Sequence, residues 1–375
     1  MNEQGASALN SSTHSAPAWA QASKFTTVAA VEHYPADLVR FVCLPYPRSL
    51  RISRNRQKRT CCMNSMQEVN RTIVNYFFLL GFSTLHSFQQ LLFCAVLMAY
   101  IVCVFGNVTI ILLVRTEPSL HLPMYFFISV FTVLEIMFAS VTIPKLLAIL
   151  IQTNKTISFF GCFVQMYAFN ALGETECFLL ALMVFDRYLA ICNPLRYSGI
   201  MNSQFCHRLV ALPWLLGFIT SFIPCIITFL LDFCGPNEIN HFFCDLAPLQ
   251  NLACSDPFFS NMTTSMAAFL ATVLPFFTIM GFYTKIIHNV LKINSTEGKT
   301  KAFSTCSSHL IVASLFYGSA IIVYIKPKGS HYDKFLALMY TVIIPVLNPF
   351  IYTFRNTEVK HALRKTIRQY IRFPS

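Results

Sequence analysis

The residues of this chain that could do chemistry are few, and most of them sit inside apolar runs. Asp186, Arg187 and Tyr188 form an ionic triplet within 183–197, MVFDRYLAICNPLRY, at the end of a long apolar segment. Charges at the mouth of a membrane span are rare and usually functional. Asp186 can hold the neighbouring guanidinium while the helix end meets water, and release of Arg187 would open a cavity between helices. The plainer alternative is a snorkelling arginine with its counter-ion. Glu135 and Glu176 lie in the middle of two apolar runs. A carboxylate in hydrocarbon is costly, so such residues face a wet cavity, a partner or a proton. The pair could hold Na+ or share a proton, or be two protonated, hydrogen-bonded acids with no ion. Glu174, two residues before Glu176, falls on a different helix face and looks towards a cavity. No GxxxxGK[ST], HExxH or GxSxG string occurs, and the fourteen cysteines include no CxxC pair. No ATPase, zinc protease or serine hydrolase is indicated, and the chain reads as a non-enzyme with no resident metal.

The elements that must position these groups follow from composition. The 375 residues are 55% hydrophobic and only 12% charged, with mean hydropathy +0.55. A soluble domain would carry roughly twice that charged fraction. The expected fold is an all-α membrane protein. Seven apolar segments are read at about 91–114, 123–150, 161–192, 209–231, 258–283, 304–325 and 335–354. Each is long enough to cross hydrocarbon of ~30 Å at ~1.5 Å per residue. An odd number of spans puts the termini on opposite sides. Segments after spans one, three, five and seven carry most of the Lys and Arg, which places the N-terminus outside and the C-terminus in the cytosol. Residues 355–375 are basic with apolar Val359, Ala362, Leu363 and Ile367, the spacing of a short helix on the inner leaflet.

Residues 1–65 differ from the rest. They are polar, then basic over 48–59, RSLRISRNRQKR. The basic run could meet anionic lipid or nucleic acid, but a solvated, disordered extension is the reading taken, with no nucleic-acid partner. No signal peptide is read there. Asn70-Arg71-Thr72 is a glycosylation sequon ahead of the first span. Gly106-Asn107 places an amide in span one, where it needs a partner helix. Pro275 permits a kink in span five, and Pro349 another in span seven, where Asn348 can satisfy the freed groups. Cys162 opens span three, and the loop after span four holds Cys234, Cys244 and Cys254. Four cysteines on the oxidising side allow three pairings, and a metal site with His241 is the other use of them.

Five strings in order resemble the olfactory (odorant) branch of the rhodopsin-like G-protein-coupled receptors: HLPMYFF at 121–127, MVFDRYLAICNPLRY, CGPNEINHFFCD at 234–245, KAFSTCSSHL at 301–310, and PVLNPFIY at 345–352. The resemblance covers about 70–367 and identifies 66–370 as a seven-transmembrane receptor domain. It departs from the family in the long N-terminal segment, where Met63 or Met66 would be a more usual start. The resemblance implies Cys162–Cys244 and Cys234–Cys254 disulfides, sodium near Glu135 and Glu176, and Tyr283, Asn348, Pro349 and Tyr352 as switch residues acting with Asp186, Arg187 and Tyr188. Helix phase and the resemblance together place a small volatile odorant near Phe169, Asn170, Gly173 and Glu174 of span three and Tyr317, Ile321 and Tyr324 of span six. The partner implied at the inner surface is a heterotrimeric G protein, of the stimulatory olfactory type, raising cyclic AMP. The receptor would sit among plasma-membrane lipids. A non-olfactory receptor for a lipid-like ligand is the alternative within the fold. A transporter is the alternative outside it, and it would need inverted repeats or a charged path that the chain lacks.

Overall fold

The structure, a computed structural model, describes residues 74–152, 154–234, 236–325 and 333–371. Asn70 and residues 1–65 lie outside the described residues. Among the described residues, seven long helical spans form the bundle. Span one is α1 (Gln89–Thr116), and span two is α2 (Pro123–Ile151). Span three is α3 (Phe159–Cys192), followed by the short α4 (Pro194–Ile200), and span four is α5 (Ser203–Phe229). After α6 (Leu246–Gln250), span five joins α7 (Phe258–Ala268) to α8 (Leu274–Leu291). Span six is α9 (Thr296–Ile325), span seven joins α10 (Asp333–Leu338) to α11 (Ile344–Arg355), and α12 (Thr357–Ile371) closes the chain.

Local chemistry sets the ends. Ser158 Oγ accepts from the Gly161 amide at 3.1 Å at the start of α3. Asn202 Oδ1 accepts from the Phe205 amide at 2.9 Å at the start of α5. Each satisfies a donor that the first turn would leave unpaired. Pro123 opens α2, where its missing N–H costs little. Among the described residues, spans one, two, four, five and seven are long and apolar enough to cross a membrane unaided. Span three is long but carries Glu174, Glu176, Asp186 and Arg187. Span six has its apolar stretch only at His309–Ala320, after the polar opening TEGKTKAFSTCSSH. These two helices depend most on their neighbours: α3 packs on α2, α5 and α8, and α9 on α11. At Gly217 a Cβ would strike both the side chain and the backbone of Thr175, so a glycine is what lets spans three and four touch.

Spans five and seven share a device that the sequence did not announce. Each carries a five-residue π turn, Phe269–Val273 and Met339–Ile343. Each turn ends two residues before a proline, Pro275 and Pro345. A proline ring strikes the carbonyl four residues back. Those residues, Ala271 and Thr341, lie inside the wider turns, where the ladder already runs one residue longer.

The end of the bundle that carries the disulfides is closed by a small sheet of order β2-β1-β3. Its strands are β1 (Tyr76–Leu79), β2 (Thr156–Ser158) and β3 (Glu238–Ile239). Tyr76 faces Ser158 in the antiparallel pair, and Leu79 faces Ile239 in the parallel one. Phe77 and Leu79 are buried while Tyr76 and Phe78 are exposed, the alternation of a strand with one wet face. Lys334 Nζ, at the start of span seven, donates to the Gly81 carbonyl at 2.5 Å and ties this sheet to the bundle. At the opposite, ionic end, Asn356 Oδ1 accepts from the amides of Glu358 and Val359 and caps α12. Val359 and Ala362 are buried beneath that helix, and Lys365 pairs with Glu117 at 2.8 Å.

Candidate functional site

At the ionic end, span three delivers Asp186 and Arg187 as a buried pair, 1% and 7% exposed. Arg187 Nε donates to Asp186 Oδ2 at 2.8 Å, and Nη2 reaches the same oxygen. The second carboxylate oxygen accepts from the Tyr197 hydroxyl of α4 at 2.8 Å. Burial, then the Asp186 charge beside it, holds the Tyr197 phenol well above its usual range. Tyr197 has no role in the sequence reading. The turn at Asn193 and Pro194 that folds α4 back onto span three gives no local sign of the contact. Tyr188 turns the other way, its ring 5.1 Å from Phe282 and under Lys285 Nζ at 5.8 Å. It therefore joins span three to span five.

Beside this lock lie two tyrosines with nothing to hold. Tyr283 of span five and Tyr352 of span seven are 4% and 0% exposed. Neither hydroxyl has a hydrogen-bond partner among the described residues. Tyr352 packs edge-on to Phe131 at 5.9 Å and tilts over His309 at 5.8 Å. A buried hydroxyl that finds no partner costs about 1–3 kcal/mol.

Deeper in the bundle, Glu135 is fully buried and accepts from Asn348 Nδ2. Glu176, 2% exposed, stands against it from span three. Asn107 donates to its own helix, to the Cys103 carbonyl at 2.9 Å. Two amide oxygens around this site, Asn107 Oδ1 and Asn348 Oδ1, have no partner among the described residues, while the Glu135 and Glu176 carboxyls lie within hydrogen-bonding reach of each other. A Cβ at Gly106 would come within 3.0 Å of the Pro349 ring, so the proline ring of span seven packs directly on the backbone of span one here. An acidic pair with orphaned amide oxygens suits a hard cation or a shared proton. Among the described residues, no group of three or more His, Cys, Asp or Glu side chains is placed to hold a metal.

At the disulfide end, Cys162 bonds Cys244 and Cys234 bonds Cys254, with Cα separations of 5.4 and 5.9 Å. The residues proposed to meet a ligand do not all face one way. Phe169 stacks on Phe138 at 5.0 Å and packs at a tilt against Phe243 of the loop at 4.6 Å. Gly173 also looks at Phe138. Asn170 donates to its own Met166 carbonyl at 2.8 Å. Glu174 accepts from Thr220 of span four. Tyr317 donates to the Cys177 carbonyl at 3.0 Å and packs on Phe276. The side chains of Ile321 and Tyr324 lie outside the described residues. A cleft of about 650 Å³ opens at the ionic end between spans one, two and four, and none of these residues lines it.

Two features above the site were not legible in sequence. Gln165 donates to the Val141 carbonyl at 2.9 Å and accepts from the Cys244 amide at 3.0 Å, fixing the disulfide loop over span three. Gln250 reaches Ser260 and Thr264 at 2.8 Å and Thr228 at 3.2 Å, joining the same loop to spans four and five. His241 is 5% exposed and stacks on Phe242 at 4.8 Å. Burial first, then the Lys334 charge, pushes its imidazole down to about 3, with Asp333 opposing.

Residues 93–370 match the family model described as Olfactory receptor. The chain is 44% identical to Olfactory receptor 11L1 of Homo sapiens over 307 residues, which is 81% of this chain and 95% of that protein. It is 48% identical to Olfactory receptor 2C3 of Homo sapiens over 305 residues, 80% of this chain and 95% of that one. With Olfactory receptor 6E1 of Mus musculus it shares 44% over 315 residues, 81% and 98% of the two chains.

Proposed function

The chain belongs to the olfactory receptor family, and on that premise we propose how its parts take up an odorant and pass the signal on. It is an odorant receptor of the G-protein-coupled class, a multi-pass protein of the plasma membrane. The disulfide end faces outward and the ionic end faces the cytosol, a reading supported by the Lys and Arg bias of the connections. A small volatile odorant enters the outer half, between spans three, five, six and seven. Phe169, Asn170, Gly173, Glu174, Tyr317, Ile321 and Tyr324 supply the contacts. Glu174 acts from the span-four side, through Thr220.

The observation that carries the mechanism is the lock itself. Arg187 is held by Asp186, Asp186 is pinned by Tyr197, and Tyr283 and Tyr352 stand beside them unpaired. An odorant that binds the active arrangement better shifts the population towards it. Span six moves outward, Arg187 leaves Asp186, and the two tyrosine hydroxyls find partners in the space released. Leu195, 97% exposed between the triplet and Tyr197, offers an apolar knob to the G protein. The effector is the stimulatory type, and the output is cyclic AMP.

Glu135 and Glu176, with the Asn107 and Asn348 amide oxygens, fit Na+, a cation that prefers oxygen ligands. When bound, the ion would neutralise the acidic pair and favour the resting arrangement. The chain's own part is to hold the two carboxylates on spans two and three and brace them through Asn348. Raising Na+ at constant ionic strength should right-shift the odorant response of the wild type and leave Glu135→Gln unmoved. Equal shifts in both would remove the ion from the mechanism.

The test of the whole reading is odorant-evoked cyclic AMP in cells expressing the full chain or Arg187→Ala. The panel comprises volatile acids, alcohols, ketones and thiols. A response lost in the variant at equal surface staining is the expected result. A response that survives unchanged would refute the lock.

A further inference from the structure

The cleft at the ionic end belongs to no part of the odorant mechanism. It is bounded by the last turn of span one, the connection that follows, the first turns of span two and the start of span four. Its rim is basic. Arg115, His121 and His207 all line it and all are exposed. Among the described residues Arg115 has no acidic partner: Glu117, two residues away, is taken by Lys365. His207 lies ring to ring with Phe126 at 4.8 Å, and its Nδ1 is bonded to the Ser203 carbonyl at 2.7 Å, which fixes the ring over the cleft.

Its wall is apolar and directional. Phe126, Ser129, Val130 and Val133 line it from span two, the i, i+3, i+4, i+7 spacing of one helix face. That stripe climbs from the rim towards the middle of the membrane, and Val133 at its upper end is 39% exposed on the lipid side. A basic rim above an apolar track that opens into hydrocarbon complements a molecule with a negative head and a flexible tail. The cytosolic leaflet is rich in such molecules.

We propose that this cleft seats one anionic glycerophospholipid of the inner leaflet. Its phosphate lies at Arg115, His121 and His207, and one acyl chain runs along Phe126, Val130 and Val133. The leaflet rests on the orientation proposed above; the chemistry of the cleft does not. A lipid held there bridges the first connection and the start of span four, next to the α4 segment that carries Tyr197, and so braces the cytosolic surface from the side.

The experiment uses the full chain in nanodiscs of phosphatidylcholine with trace phosphatidylserine bearing a diazirine on its acyl chain. Cross-linked peptides are read by mass spectrometry. Adducts should concentrate on the segment 123–133 and be displaced by unlabelled phosphatidylserine but not by added phosphatidylcholine. Arg115→Ala should lower them about fivefold, the worth of one basic residue near an anionic surface, and Arg115→Lys should restore them. Arg364→Ala, an exposed cation on α12, should leave them unchanged. Thermal unfolding of each variant checks that the bundle is intact. Adducts spread evenly over the lipid-facing spans, displacement by cholesterol alone, or an equal loss in Arg364→Ala would each overturn the site. Staining of a C-terminal epitope on unpermeabilised cells would overturn the orientation, and with it the leaflet, whatever the labelling showed.

Discussion

At the scale of single residues, the lock rests on one carboxylate with two partners. Tyr197→Phe removes the hydroxyl bonded to Asp186 Oδ1 and little else. A hydrogen bond to a charged group is worth about 1.5–3 kcal/mol when buried, and less for a half-buried tyrosine. Basal cyclic AMP should therefore rise a few-fold at equal surface level, and an unchanged baseline would show that Tyr197 does not restrain Arg187. Leu195→Ala should weaken coupling, read as a lower maximal response, while the odorant concentration for half-response holds. His241 makes a different demand. Its folded imidazole titrates at about 3, below the ordinary value of about 6.5. Between those values the unfolded chain binds a proton that the folded one refuses, so stability falls as pH falls through that window. From pH 6.5 to 5 the loss is about 2 kcal/mol. Burial raises the Asp245 carboxyl and opposes part of this, so the clean measurement is a difference. His241→Phe should unfold at a temperature less sensitive to acid than the wild type. Adjacent pairs such as Asp186 and Arg187 were legible in the sequence. Glu135 with Asn348 was not, because 213 residues separate them and only the packing of spans two and seven brings them together.

At the scale of elements, hydropathy marked the helices that bury themselves in lipid and was weakest where function intrudes. Span three carries its carboxylates in mid-helix, and span six begins polar, so neither meets a simple apolar criterion among the described residues. Both were still read as apolar segments, at 161–192 and 304–325, and the strings MVFDRYLAICNPLRY and KAFSTCSSHL agreed with that reading. The π turns were invisible for another reason: kinks were read at Pro275 and Pro349 but not at Pro345, and the added residue that relieves Pro275 and Pro345 has no type of its own. The strands were missed because Tyr76–Leu79 is a continuous apolar run, and its partners lie at 156–158 and 238–239. The final helix is testable at this scale. Asn356 caps α12 and also accepts from Tyr125 at 3.2 Å. Asn356→Ala should cost about 1 kcal/mol of helix stability and raise hydrogen exchange across 357–371. Protection equal to the wild type would mean that burial of Val359 and Ala362 alone holds the helix.

At the scale of the molecule, the two ends of the bundle are built differently. The disulfide end is tied by two disulfides, a three-stranded sheet, the Lys334 bond to Gly81 and the Gln250 cluster. The ionic end relies on the paired Asp186 and on α12, and holds the unpaired tyrosines. Lys334→Met should loosen the N-terminal strand from span seven, seen as faster hydrogen exchange at 76–79 and faster odorant washout with the lock unaffected. If washout is unchanged, the sheet is no gate. Between the two ends run the π turns of spans five and seven. A π turn is an α turn with one residue inserted, so the side chains beyond it keep their headings when that residue is gained or lost. These turns are therefore natural splice points. The outer halves of spans five and seven can be exchanged for those of a relative at these joints without rotating the halves that meet the effector. Ligand preference can then diversify on one side of the joint while signalling on the other is inherited whole.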